Sequence, residues 1–186
     1  WDDNTKYIVE VAERLQDVGI QAISIHGRTR AQMYKGEADW SLIAEVKNNP
    51  RMHIPVFGNG DITSPEKAVE HRERFGVDGI MIGRGSIGAP WFFREVKHYM
   101  ATGEHHAPPT FDERVEAVTT HFERSLDWKG ERLGVVEMRR HYANYFKGLP
   151  GFKSHRLDLV TLDDPDAIRS KLKEIAQLYA AFEQEA

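Results

Sequence analysis

The strongest constraint on the fold is a strand–loop–helix pattern that occurs three times in the first half of the chain. Short apolar segments at 22–25, 54–57 and 79–82 have the length and composition of buried strands. Helical spacing of apolar residues predicts helices over residues 7–18, from residue 39 or 41 onward, over 65–74 and over 90–100. This alternation predicts an α/β fold with a parallel sheet, covered by helices on both faces.

A polar motif follows each predicted strand. The motifs are His26-Gly27-Arg28, Asn59-Gly60-Asp61 and Gly83-Arg84-Gly85. In parallel α/β folds the ligand sites lie at the carboxyl ends of the strands. The three motifs are therefore expected to meet in one site.

Each motif has two interpretations. The glycines at 83 and 85 allow an anion to approach the backbone, or they make a tight turn that binds nothing. Asn59 and Asp61 bind a polar ligand or form an Asx turn. His26 donates to a ligand or has a structural role, and Arg28 and Arg30 contact phosphate or lie in a solvated loop.

The second half of the chain lacks strand signals. A linker-like segment with an adjacent His105-His106 pair begins after Gly103, and helices are predicted over 111–128, 134–149 and 164–185. We therefore expect two domains, residues 1–103 and 104–186. An adjacent histidine pair has poor spacing for metal binding, so no metal site is expected.

Charge is unevenly distributed along the chain. The net charge is −4 at pH 7, yet residues 128–156 contain seven Lys and Arg against two Glu. On a helical wheel, four of the basic residues lie beside an apolar stripe: Arg132, Arg139, Arg140 and Lys147. This sector is either a contact surface for a polyanion or a solvated helix face.

The composition is that of a soluble globular protein. The chain has no cysteine, and no apolar run approaches the roughly 20 residues that cross a bilayer. No signal-peptide pattern is visible. We expect a cytoplasmic protein without membrane contact.

Four segments together resemble the tRNA-dihydrouridine synthases, closest to the bacterial B-type branch. They are residues 25–30, 58–62, 81–93, and Arg139-Arg140-His141 with Tyr145. Each segment alone is weak evidence, whereas the ordered set covers nearly the whole chain and is specific.

The resemblance implies a fold and a reaction. The family combines an FMN-binding (β/α)8 TIM barrel with a helical tRNA-binding domain. NADPH reduces the flavin, the flavin delivers hydride to C6 of a uridine in tRNA, and a cysteine protonates C5. Residues 1–103 would be the C-terminal part of the barrel, with about three strands, and residues 104–186 the helical domain.

The resemblance also implies site residues. Those for FMN are His26, Asn59, Gly60, Asp61, Gly83 and Arg84. Those for tRNA are Arg28, Arg30, Arg132, Arg139, Arg140 and Lys147.

The chain departs from the family pattern in what it lacks. Three of eight strands are accounted for, and the catalytic cysteine has no counterpart, so we expect a C-terminal fragment that is inactive alone and holds no catalytic residue. Exposed strand edges also predict self-association, which a well-behaved monomer with a sharp melting transition would contradict.

Two alternatives are compatible with the sequence. One is an FMN-dependent barrel oxidoreductase that acts on a small molecule, of the dihydroorotate dehydrogenase kind. The other is a non-catalytic RNA-binding module, which would bind tRNA but no flavin.

Overall fold

The structure is a computed structural model that describes residues 1–183, with side chains up to residue 180. The chain forms two compact units. One contains Trp1–Ser86 and Phe92–His106, and the other contains Ile87–Trp91 and the chain from Ala107 onward.

The first unit is built on a parallel three-stranded sheet in the order β1-β2-β3. Its elements are α1 (Ile8–Asp17), β1 (Ile23–His26), α2 (Ser41–Asn48), β2 (Val56–Asn59), α3 (Pro65–Phe75), β3 (Gly79–Met81), a short 3-10 turn (Arg84–Ser86) and α4 (Phe92–Thr102). The α/β class and the parallel sheet are confirmed.

The register aligns the last residues of the three strands. His26 pairs with Asn59, and Asn59 pairs with Met81. The three polar motifs therefore leave the sheet at the same edge.

Several elements differ from the sequence prediction by one or two residues, and β2 and α4 begin two residues later than predicted. Strand β2 begins at Val56 rather than at residue 54, because Pro55 has no N–H to donate to a neighbouring strand. Helix α4 begins at Phe92, and the preceding segment Ile87–Trp91 belongs to the other unit.

The residues at both ends of helix α3 explain where it begins and ends. The Ser64 hydroxyl accepts a hydrogen bond from the Lys67 N–H at 3.2 Å, and Pro65 occupies the first helical position. Gly76 ends the helix in the left-handed conformation, with φ of 66°. The predicted cap is confirmed, and α3 carries the chain from β2 to β3.

The second unit is helical. It contains α5 (Phe111–Lys129), α6 (Glu131–Tyr145), α7 (Lys153–Thr161) and α8 (Pro165–Glu183). Thr110 and Glu113 form a capping box at the start of α5. The core is aromatic in large part, with Phe111, Phe122, Tyr142 and Phe146 almost fully buried.

The sequence prediction was wrong about two features of this unit. Helix α7 was not predicted, because only Leu159 of its nine residues is buried and its apolar periodicity is weak. Helix α6 begins at Glu131 rather than at Gly134 and ends at Tyr145. Gly134 lies inside this helix, where a Cβ would meet the backbone of Ser125 at 2.9 Å, so the glycine permits close packing against α5.

Among the described residues, none of the helices has both the length and the apolar character needed to span a membrane.

Candidate functional site

A cavity of about 750 Å³ lies at the carboxyl edge of the sheet. It is lined by His26, Arg28, Thr29, Arg30, Met33, Tyr34, residues 59–63 and Gly83, Arg84 and Gly85. The six residues expected to bind a cofactor are all among them. A cavity of this size is in the range of sites for cofactor-sized ligands.

Asp61 links the three loops around the cavity. Its Oδ2 accepts hydrogen bonds from Arg28 Nη2 at 2.7 Å and from the Ala38 N–H at 2.8 Å, and its Oδ1 accepts from Arg84 Nη2 at 3.0 Å. Burial opposes ionisation, but the hydrogen bonds from Arg28 and Ala38 and the charges of Arg28 and Lys67 hold the pKa of Asp61 below its ordinary value. Asp61 is therefore an ionised carboxylate that connects the three loops through hydrogen bonds.

Arg28 lies beneath the cavity surface rather than on the outside of the protein. Only 2% of its side chain is exposed. Besides Asp61, its guanidinium donates to the carbonyls of Gly36 at 2.5 Å and Lys35 at 3.3 Å. The resemblance implied a tRNA contact for Arg28, and the structure places its side chain in the wall of the cavity, beside residues expected to bind a cofactor. Arg30 is exposed, and its guanidinium lies 5.9 Å from the Trp1 ring centre.

Arg84 and Gly83 form the open side of the cavity. Just over half of the Arg84 side chain is exposed, and its guanidinium packs over the Tyr34 ring at 4.6 Å. A Cβ on Gly83 would meet no atom within 4 Å, so this stretch of backbone is uncovered. Three arginines and one aspartate line the cavity, so its lining has an excess of positive charge that fits an anionic group such as a phosphate.

A row of hydrogen bonds joins the ends of the three strands. The ring nitrogen His26 Nδ1 lies 2.6 Å from Asn59 Oδ1, and Asn59 Nδ2 donates to the Met81 carbonyl at 2.6 Å. The amide of Asn59 thus bridges β1 and β3 from the end of β2.

Trp40 supports the turn after β2 from below. It is 2% exposed, and its Nε1 donates to the Gly60 carbonyl at 3.1 Å. A Cβ on Gly58 would lie 2.0 Å from the Trp40 ring, and one on Gly60 would lie 2.5 Å from Ala38 Cβ. Because the two glycines have no side chain, Trp40 and Ala38 can pack against the turn from below.

The basic residues of the helical unit do not form one group. Arg132, Arg140 and Lys147 are exposed, and none has an acidic partner among the described residues. Arg139 instead donates to Asp163 Oδ1 at 2.5 Å and to the Leu162 carbonyl at 3.3 Å. Arg139 thus ties α6 to the segment between α7 and α8.

The surroundings of two histidines of the helical unit favour the neutral form of their rings. The rings of His121 and His141 are 4.8 Å apart, and His121 Nδ1 lies 3.0 Å from the Tyr145 hydroxyl. Burial raises the pKa of Tyr145 to about 12, so its hydroxyl keeps its proton. Burial lowers the pKa of both histidines, and the nearby charge of Arg140 acts in the same direction, whereas Glu137 opposes it at His141.

We expect this pair to make the stability of the chain depend on pH. The pKa values of both histidines in the folded chain lie below the ordinary value of 6.5. As the pH falls from neutral through 6.5, the unfolded chain therefore binds more protons than the folded chain, and the free energy of unfolding decreases. Thermal unfolding at pH 5.5 should occur several degrees below that at pH 7.5. Replacing both histidines by Gln should reduce this difference without abolishing it, because His71 of the first unit contributes with the same sign.

The matched control is His53→Gln, which changes an exposed histidine. It should leave the pH dependence as it is in the unmodified chain. An unchanged pH dependence in the double variant would show that the pair does not contribute.

Comparison with protein families identifies the family to which the chain belongs. The model of the dihydrouridine synthase family matches residues 1–181. The chain belongs to the dihydrouridine synthase family. The resemblance seen in the motifs is thereby confirmed, and the TIM barrel followed by a helical domain is the architecture of this family.

Curated relatives of the dihydrouridine synthase family agree. A probable tRNA-dihydrouridine synthase of Rickettsia conorii is 43% identical over 174 residues, which cover 94% of this chain and 52% of that protein. The tRNA-dihydrouridine synthase B of Pseudomonas putida is 43% identical over 167 residues, covering 90% of this chain and 49% of the relative. The probable tRNA-dihydrouridine synthase 1 of Synechocystis is 43% identical over 163 residues, covering 88% and 45%. The chain spans about half the length of these relatives.

Sequence reasoning did not indicate that Tyr34 lines the cavity or that Ala38 and Trp40 lie beneath the turn after β2. The glycine at position 58 carried a signal for Trp40, because a glycine inside a strand often marks a close approach of another group. Tyr34 and Ala38 lie in the long loop between β1 and α2, where no periodicity indicates which side chains turn inward.

Proposed function

We propose that this chain supplies flavin-binding and tRNA-binding parts of a tRNA-dihydrouridine synthase, which reduces uridine in tRNA to 5,6-dihydrouridine. The observation that carries the proposal is the convergence of three strand-end motifs on one cavity with an excess of positive charge. Family membership supports the same reaction.

The cofactor in this proposal is FMN, reduced by NADPH. Gly83 and Arg84 hold the phosphate, since the uncovered backbone and the half-exposed guanidinium suit an anion. Asn59, Gly60 and Asp61 form the wall beside the rest of the cofactor, and His26 lies toward its ring. When bound, FMN supplies the hydride that reduces the uridine.

The proton for C5 is not supplied by these residues. The resemblance implies a cysteine as the acid, and the 186 residues contain none. We therefore propose that this chain alone does not turn over unmodified tRNA. We also propose that the protein acts in the cytoplasm and that the open edges of its sheet favour self-association.

The cofactor proposal is tested by titrating FMN into the chain and following the quenching of flavin fluorescence. Saturable binding is expected, and Gly83→Glu should abolish it because the new carboxylate repels the phosphate. The fold should survive, since a Cβ at this position meets no neighbour. Gly83→Ala is the control that adds the Cβ without the charge and should still bind. Binding that persists in Gly83→Glu would contradict the phosphate site.

The tRNA proposal predicts different effects for two adjacent arginines. Arg140 is exposed without an acidic partner, so Arg140→Gln should weaken tRNA binding and reduce the slope of log K against log salt by about one. Arg139 is paired with Asp163, so Arg139→Gln should lower stability and leave the salt slope unchanged.

Binding of FMN with no salt-dependent affinity for tRNA would favour the small-molecule oxidoreductase, and tRNA binding without FMN would favour the RNA-binding module.

A further inference from the structure

We propose that Asn59 is a positioning residue that holds neutral His26 in the tautomer with its hydrogen on Nδ1. The second ring nitrogen, Nε2, then offers a lone pair to the cavity. Asn59 would thus determine whether His26 binds a hydrogen-bond donor or a hydrogen-bond acceptor of the ligand.

The orientation of the Asn59 amide follows from its partner on β3. A backbone carbonyl can only accept a hydrogen bond, so the atom of Asn59 that lies 2.6 Å from the Met81 oxygen is the NH2 group. The amide oxygen must then face His26 Nδ1, at 2.6 Å. Exchanging the two amide atoms would place oxygen against oxygen, and the hydrogen-bond network therefore determines the assignment.

The tautomer of His26 follows from that orientation. Asn59 Oδ1 carries no hydrogen, so the hydrogen of this short contact is on Nδ1. A neutral imidazole has one ring hydrogen, which leaves Nε2 as an acceptor. His26 lines the cavity, and its Nε2 has no hydrogen-bond partner in the part of the chain that the structure describes.

The neighbouring turn leaves space beside the ring. A Cβ on Gly60 would lie 3.6 Å from His26 Cε1, and the glycine omits it. A ligand can therefore reach the edge of the imidazole that carries Nε2.

The consequence is a rule for the ligand. A group that faces His26 Nε2 must bring a hydrogen, as an imide N–H or a hydroxyl does, because a carbonyl oxygen would meet a lone pair. This differs from one of the two sequence-based interpretations of His26, in which its ring donates a hydrogen bond to a ligand. The ligand rule rests on the proposed function, whereas the tautomer does not.

The tautomer is measured by NMR of the ¹⁵N-labelled chain at pH 8.5, with the His26 signals identified by His26→Gln. We expect Nδ1 at the protonated, pyrrole-type position and Nε2 at the unprotonated, pyridine-type position. In Asn59→Leu nothing holds the hydrogen on Nδ1, so the two signals should move toward each other. Asn48→Leu, the same replacement at an exposed asparagine of α2, should leave them unchanged.

The wild-type spectrum alone can overturn the proposal, even if Asn59→Leu does not fold. A hydrogen on Nε2 in the wild-type chain would refute it, and so would an unchanged spectrum in folded Asn59→Leu. Adding FMN then tests the proposed function separately. A shift of the Nε2 signal supports flavin binding, while a hydrogen on Nδ1 with no response to FMN leaves the tautomer established and the proposed function contradicted.

Discussion

Replacing Asp61 by Asn is expected to lower the free energy of unfolding of the first unit by about 3 kcal/mol. The Arg28 side chain is 2% exposed, and Asp61 is its acidic partner. Without the carboxylate, a buried guanidinium charge remains uncompensated, and the new amide N–H2 faces donors of Arg28, Ala38 or Arg84. Asn is the suitable replacement because the backbone of Asp61 has φ of 54°, a conformation that Asn tolerates.

Urea unfolding followed by circular dichroism measures this loss. The matched control is Glu10→Gln, which neutralises the exposed pair between Glu10 and Arg14 in the same unit. Exposed pairs of this kind contribute about 0.5 kcal/mol. Equal losses in the two variants would mean that Asp61 does not compensate a buried charge.

Replacing Gly58 by Ala is expected to cost about 3 kcal/mol and to weaken ligand binding in the cavity. The new methyl group would lie 2.0 Å from a ring carbon of Trp40. The Trp40 ring cannot move aside easily, because it is stacked on Phe75 and hydrogen-bonded to the Gly60 carbonyl. Any displacement of Trp40 therefore also displaces the turn that holds Asn59 and Asp61.

The control for this substitution is Gly83→Ala in the same unit. A Cβ there meets nothing within 4 Å, so the melting temperature should hardly change. The double variant Gly58→Ala with Trp40→Leu should regain part of the lost affinity for FMN, since Leu frees the space that the methyl needs. A melting temperature of Gly58→Ala equal to that of Gly83→Ala would show that the close packing seen here is not required.

The sequence was sufficient to predict the parallel sheet and the meeting of the three motifs. Both follow from local rules, because the apolar segments define strands and the carboxyl ends of parallel strands share one edge. The charge network around Asp61 could not be predicted, since it joins residues more than twenty positions apart through loops without periodicity. Which residues bind a ligand remains a prediction.

The two neighbouring arginines of α6 show a second limit of sequence reasoning. A helical wheel places Arg139 and Arg140 in one basic sector, but it does not show that an acidic residue from another segment pairs with Arg139. Asp163 lies after α7, a helix that the sequence pattern did not reveal, and it engages Arg139. The exposed charge of the sector is therefore smaller than the composition suggests.

The bridge made by Asn59 has a consequence for how affinity is distributed over a ligand. Because the amide connects the imidazole of the last residue of β1 to the last residue of β3, a movement of β3 should be transmitted to His26. The turn that begins two residues beyond Met81 contains the proposed phosphate contacts. If FMN binds as proposed, recognition of its two ends should be cooperative, and riboflavin, which lacks the phosphate, should lose more affinity than the phosphate contacts alone provide.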